Sequence, residues 1–113
     1  MNNGDSATAI NSSYLASVTE FLAICEEKNI IPILSTTPCT PTVNNSFKNE
    51  WVRNSGYRYI DFSRAVGGDE VGSAWYDGML YTGDNVHPAT PGAKALYAQF
   101  LVDFPEIAMC YYE

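Results

Sequence analysis

The sequence predicts an α/β fold with parallel strands in the order α-β-α-β-α, and three observations carry that expectation. Ile30-Ile31-Pro32-Ile33-Leu34 is a short, continuously apolar, branched run, the pattern of a strand covered on both faces. Tyr57–Phe62 reads as a second strand, introduced by the turn residue Gly56. Apolar residues at helical spacing precede, separate and follow these two segments.

In chain order, Asn11, Ser12 or Ser13 is placed to cap a first helix running to about Lys28. Tyr14, Leu15, Val18, Phe21, Leu22 and Cys25 keep its apolar rhythm, and Asn29 is a natural stop. Pro32 inside the first strand suits a position whose N–H is not required. A second helix from about Val43 to Asn54 is expected to turn Phe47, Trp51 and Val52 toward the sheet. Asp61, ending the second strand, is suited to cap a short helix through Ser63 and Arg64. Residues 67–82 form a long loop marked by glycines, and loops of that length inside a domain usually serve function or move. Thr90 is an N-cap candidate, with Pro91 at the first position of a last helix. Ala93, Leu96, Tyr97, Phe100, Leu101 and Phe104 form that helix's apolar stripe.

This order has a consequence for stability. Two parallel strands joined by one right-handed crossover make a sheet too small to stand alone, because parallel sheets need cover on both faces. One strand edge and some apolar helix surface are left without partners. The chain is therefore expected to work as a homo-oligomer or with a separate N-terminal piece that supplies the missing strands.

Composition narrows the partners. At 113 residues the chain has the size of one domain, and 46% hydrophobic residues provide for a core. The net charge is −7 and the six basic residues are scattered, so nucleic acid and anionic membrane surfaces are poor partners. No apolar run approaches a membrane span. The start Met1-Asn2-Asn3-Gly4-Asp5 lacks the features of a signal peptide; on a fragment, any signal would lie on the missing part. The three cysteines, Cys25, Cys39 and Cys110, are an odd number, widely spaced, and form neither a disulfide framework nor a zinc pattern. Cys25 reads as a small core residue.

His87 is the only histidine, so any imidazole chemistry near neutral pH belongs to it. Asp84, three residues earlier, is close enough in a turn to accept a hydrogen bond from one ring nitrogen. That bond fixes the tautomer and leaves the other nitrogen free to take a proton from a hydroxyl nucleophile. Cys39, just past the first strand, would make a thiol nucleophile if it met the pair, although Pro38 and Pro41 describe a plain turn. Asp69 and Asp77 could join Asp84 as oxygen ligands, but a hard-cation site needs several more, and no metal or cofactor is implied. Trp75, Tyr76 and Tyr81 either anchor the long loop or wall a pocket beside His87.

Asp84-Asn85-Val86-His87-Pro88, followed by Gly92 and a C-terminal helix, resembles the last block of the SGNH (GDSL-type) hydrolases. Upstream, Ile30–Pro38 is similar to that family's penultimate core strand with its Thr-Pro exit. Asn49–Arg53 is similar to the helix that follows, and Tyr57–Phe62 to the last core strand. The similarity runs from about residue 10 to 104. It implies the C-terminal part of a flavodoxin-like, three-layer α/β/α fold, with Asp84 and His87 as catalytic residues of a carboxylic-ester hydrolase. The implied substrates are acetyl esters of carbohydrates or acyl esters of lipids.

One departure matters. Family members carry the nucleophilic serine in a Gly-Asp-Ser block directly after the first core strand. Gly4-Asp5-Ser6 matches in letters, but Met1-Asn2-Asn3 cannot be the buried strand that a nucleophile elbow needs. The chain thus resembles a C-terminal half that carries the base and its orienting acid without a convincing nucleophile or oxyanion hole. Very low esterase activity is expected of it in isolation. The alternative is a non-catalytic carbohydrate-binding or interaction module that keeps the fold and uses the aromatic loop.

Overall fold

The computed structural model describes residues 7–69, 72 and 75–107, in two compact units that divide between Ile33 and Leu34. The first unit holds helix α1 (Ala7–Glu27). It starts ahead of Asn11, Ser12 and Ser13, so these lie inside the helix instead of capping it. Ser12 and Ser13 are exposed, which lets their hydroxyls turn to water instead of competing with the backbone. The end is as expected. Asn29 adopts the left-handed conformation at φ 57°. Asn29 N–H donates to Glu26 O at 3.2 Å and Ile30 N–H to Cys25 O at 2.8 Å, the paired bonds of a Schellman stop.

The second unit is mixed α/β. Strands β1 (Leu34–Ser35) and β2 (Tyr59–Ile60) pair in parallel, Leu34 with Tyr59 and Ser35 with Ile60. Leu34 N–H donates to Arg58 O at 2.9 Å and Thr36 N–H to Ile60 O at 3.1 Å. Pairing is shorter than the apolar run suggests. It begins after Pro32, which has no N–H to give, and leaves Ile30 and Ile31 exposed, Ile31 at 84%. Among the described residues the sheet has these two strands.

Helix α2 (Ser46–Asn54) makes the crossover. It starts later than expected, because Thr40 Oγ1 holds residues 40–43 in a turn by accepting from Thr42 and Val43 N–H at 3.3 and 3.0 Å. Its buried face is Lys48, Asn49 and Val52; Phe47, expected inward, is 41% exposed. Asn49 accounts for the rotation. Its Oδ1 accepts from Thr37 N–H and its Nδ2 donates to Thr37 O, both at 2.8 Å, while Nδ2 also reaches Ser63 Oγ at 3.3 Å. Part-buried backbone groups beyond β1 find their partner here in a side-chain amide.

Helix α3 (Phe62–Val66) is capped as expected by Asp61, whose carboxylate accepts from Arg64 N–H, and Gly67 closes it at φ 79°. Helix α4 (Thr90–Asp103) packs on α3 and β2. Its N-cap is Ala89, so Thr90 and Pro91 both lie within the first turn, where Pro91's missing donor costs nothing. Asp103 Oδ2 accepts from Asp61 N–H at 2.8 Å, and Arg58 pairs with Glu106 while stacking 4.7 Å from the Phe104 ring centre. These contacts close the outer side of β2. Leu34, Cys39, Val52, Ile60, Val66 and Trp75 form this unit's apolar core.

Candidate active site

Residues 79–89 fold back on themselves as a hairpin in front of α4. Leu80 bridges Pro88 antiparallel, Ala89 N–H donates to Met79 O at 2.8 Å, and Tyr81 N–H donates to His87 O at 2.9 Å. Asn85 takes the left-handed turn position at φ 56°, with its N–H on Tyr81 O at 2.9 Å. Asparagine tolerates that conformation better than most residues. Gly92, buried in the first turn of α4, lies so close to Met79 that a methyl group there would overlap the Met79 carbonyl. The hairpin is therefore seated directly on the helix.

Inside the hairpin, one carboxylate does two jobs. Asp84 Oδ1 accepts from Val86 N–H at 2.9 Å and His87 N–H at 3.1 Å, which sets the backbone of the turn. Asp84 Oδ2 lies 2.6 Å from His87 Nδ1. The bond to His87, then the two backbone N–H groups, lower the Asp84 pKa to about 2. An ionised carboxylate can only accept, so Nδ1 carries the hydrogen, and in the neutral ring Nε2 keeps its lone pair. Among the described residues nothing hydrogen-bonds Nε2, and the His87 side chain is 75% exposed. The arrangement supplies an oriented base open to the outside.

The other candidates are placed elsewhere. Cys39 is fully buried, its Sγ accepting from Asn45 N–H at 3.3 Å and lying 3.8 Å from Asp69 O. It is a core thiol at the foot of α2, and the thiol arrangement with His87 is not formed. Asp69 is committed to Arg53 at 2.6 Å, and among the described residues no group of three His, Cys, Asp or Glu side chains could hold a metal. Trp75 is buried, with Nε1–H donating to Cys39 O at 2.7 Å, so it anchors the long loop. Tyr76 and Tyr81 are exposed. Ser6 lies outside the described residues.

Elsewhere in this unit runs a buried polar network that sequence reasoning missed. Thr36 Oγ1 donates to Asp61 Oδ1 and accepts from Ser63 N–H, both at 2.9 Å. Ser63 Oγ donates to Gly68 O at 2.6 Å, and Arg53 bridges Asp61 and Asp69 at 2.8 and 2.6 Å. Burial alone would raise the Asp61 pKa; the bonds from Arg53 and Thr36 outweigh it and hold the carboxyl below its ordinary value. The available signal was phase: Asn45, Asn49 and Val52 share one helical face.

Comparison with protein-family models, with curated proteins and with solved structures found no match.

Proposed function

We propose that this chain carries the acid–base pair of a carboxylic-ester hydrolase of the SGNH type, as the C-terminal part of a flavodoxin-like three-layer fold. The observation that carries the reading is the 2.6 Å contact between Asp84 Oδ2 and His87 Nδ1, with Nε2 unpaired. In the reaction, His87 Nε2 takes the proton of a serine hydroxyl as the serine oxygen bonds to the ester carbonyl carbon. Asp84 holds the ring in that tautomer and stabilises the imidazolium. The imidazolium returns the proton to the departing alkoxide, and water repeats the cycle to free the acid.

The serine comes from outside the described residues, from a second copy of the chain or from a separate N-terminal half. The exposed Ser35 and Ile31 beside β1, next to a two-stranded sheet, support a need for added strands. A non-catalytic carbohydrate-binding module is the competing reading. Its most natural aromatic platform, Trp75, is buried and tied to Cys39, which counts against it.

The test is hydrolysis of p-nitrophenyl acetate by the wild-type chain, Asp84→Asn and His87→Ala, each compared with free imidazole at equal concentration. The expected result is slow turnover above the imidazole rate that falls in both variants. A wild-type rate no better than imidazole and unchanged by Asp84→Asn removes the reading in which a second copy supplies the serine.

A further inference from the structure

We infer that Tyr81 is the specificity-determining wall of this site, a pre-set platform for esters that carry a flat ring next to the ester group. Leu80 bridges Pro88, which puts Tyr81 directly across the hairpin from His87, and Tyr81 N–H donates to His87 O at 2.9 Å. Opposed residues of an antiparallel pair project from the same face, within reach of one another. Whatever His87 Nε2 acts on therefore arrives next to the Tyr81 side chain.

The ring's position is set by a second residue. Gly83 lies under it, and a methyl group at Gly83 would overlap Tyr81 Cζ, Cε2 and the hydroxyl. A side chain at position 83 would move the far end of the Tyr81 ring off the turn, so Gly83 permits this close approach. Supported from beneath, Tyr81 remains 54% exposed, and an aromatic surface held in place loses little freedom when a ligand ring stacks on it. Trp75 and Tyr76 do not serve this role: Trp75 is buried, and the Tyr76 ring packs on Gly67, where a methyl group would stand 3.0 Å from Cδ1.

The reaction served by this platform rests on the hydrolase reading, but binding does not, and the experiment separates the two. Acetanilide and N-ethylacetamide are non-hydrolysable stand-ins for phenyl acetate and ethyl acetate. Their binding is followed from the NMR signals of the Tyr81 ring and the His87 imidazole, in the wild type, Tyr81→Ala, Tyr81→Phe and Gly83→Ala. Acetanilide is expected to move both sets of signals and to bind about threefold to tenfold more weakly in Tyr81→Ala and Gly83→Ala, but not in Tyr81→Phe. N-ethylacetamide is expected to show no such dependence. The fluorescence of Trp51 and Trp75 reports whether each variant keeps the fold. Ring-dependent acetanilide binding without ester hydrolysis supports the platform and sinks hydrolysis by the chain with its own copies. Equal binding of both amides by wild type and Tyr81→Ala overturns the platform, even where hydrolysis depends on His87.

Discussion

Asn49 grips Thr37 with both arms of its carboxamide, accepting from the Thr37 amide and donating to the Thr37 carbonyl at 2.8 Å each. A neighbouring strand would make the same two bonds, so a side chain from α2 ends the β1 edge by imitating one. Asn49→Leu keeps the branching of the side chain and loses both bonds, leaving the part-buried Thr37 N–H and C=O without them. The expected cost is about 1–2 kcal/mol of stability, read from urea unfolding. Asn49→Asp recovers only the bond from the amide, and is expected to fall below the wild type as well. Unfolding curves that superimpose on the wild type's for both variants would remove Asn49 from this role.

The hairpin's acid response follows from Asp84. Its pKa of about 2 lies below the ordinary carboxylate value of about 4, so the folded turn favours the ionised form. A carboxyl lowered on folding contributes stability that is complete above its unfolded pKa and disappears as pH falls through the folded one. The Asp84 carboxyl carbon signal is therefore expected to show its own protonation between about pH 4 and 2, and the Val86 and His87 amide signals to move with it there. In Asp84→Asn that transition is absent, and the His87 ring signals no longer report a fixed tautomer.

Arg53 sets the acid response of Asp61. In the wild type it keeps the buried Asp61 carboxyl below its ordinary pKa, so Asp61 adds to stability above about pH 4 and loses that contribution on acidification. Arg53→Met removes the largest opposing effect while the Thr36 and Arg64 bonds stay, so the Asp61 pKa moves up and the variant loses less stability on acidification than the wild type. At pH 7 it is expected to be about 2 kcal/mol less stable, the cost of a part-buried pair losing one member. Urea midpoints at pH 7 and at about pH 3 check both the loss and the weaker acid response.

Gly92 couples the hairpin to its helix. Gly92→Ala puts a methyl group into the Met79 carbonyl, so α4 and the hairpin must separate. Overpacking of this kind costs about 1–3 kcal/mol. Hydrogen exchange at Ala89, whose N–H rests on Met79 O, is expected to accelerate. The Asp84–His87 contact lies wholly within the turn and is expected to survive.

Legibility in the sequence followed the range of the forces involved. Asn29 ending α1, Asp61 capping α3 and Asp84 reaching His87 are local hydrogen bonds between residues a few positions apart, and residue type with spacing was enough to find them. The inward face of α2 was misjudged because hydropathy favoured Phe47, while a tertiary bond from Asn49 to Thr37 decided the rotation. Ile30–Ile33 read as strand because apolar character records a preference for burial, not the presence of a partner. The close approaches at Gly83 and Gly92 depend on which backbone meets which, and a glycine alone does not announce its neighbour.

The last prediction concerns the open side of β1. The ladder to β2 uses the amides of Leu34 and Thr36, which leaves the Ser35 amide facing the other way, and Ser35 is exposed. On the far side of β2, by contrast, Asp103 already occupies the Asp61 amide. An added strand would join the outer edge of β1 beside Ser35, short of Thr37, whose amide and carbonyl Asn49 already takes. Ser35→Pro removes that edge's donor without touching either ladder bond, and is expected to abolish association while the sheet persists. Where copies of the chain supply such strands, association brings together chains of charge −7 and is expected to tighten as salt rises from 0.05 to 0.5 M, on the order of a threefold fall in the Debye length. Sedimentation velocity across concentration and salt measures both effects. A compact monomer at every concentration, unfolding in a single urea transition and unaffected by Ser35→Pro, would show that two strands suffice.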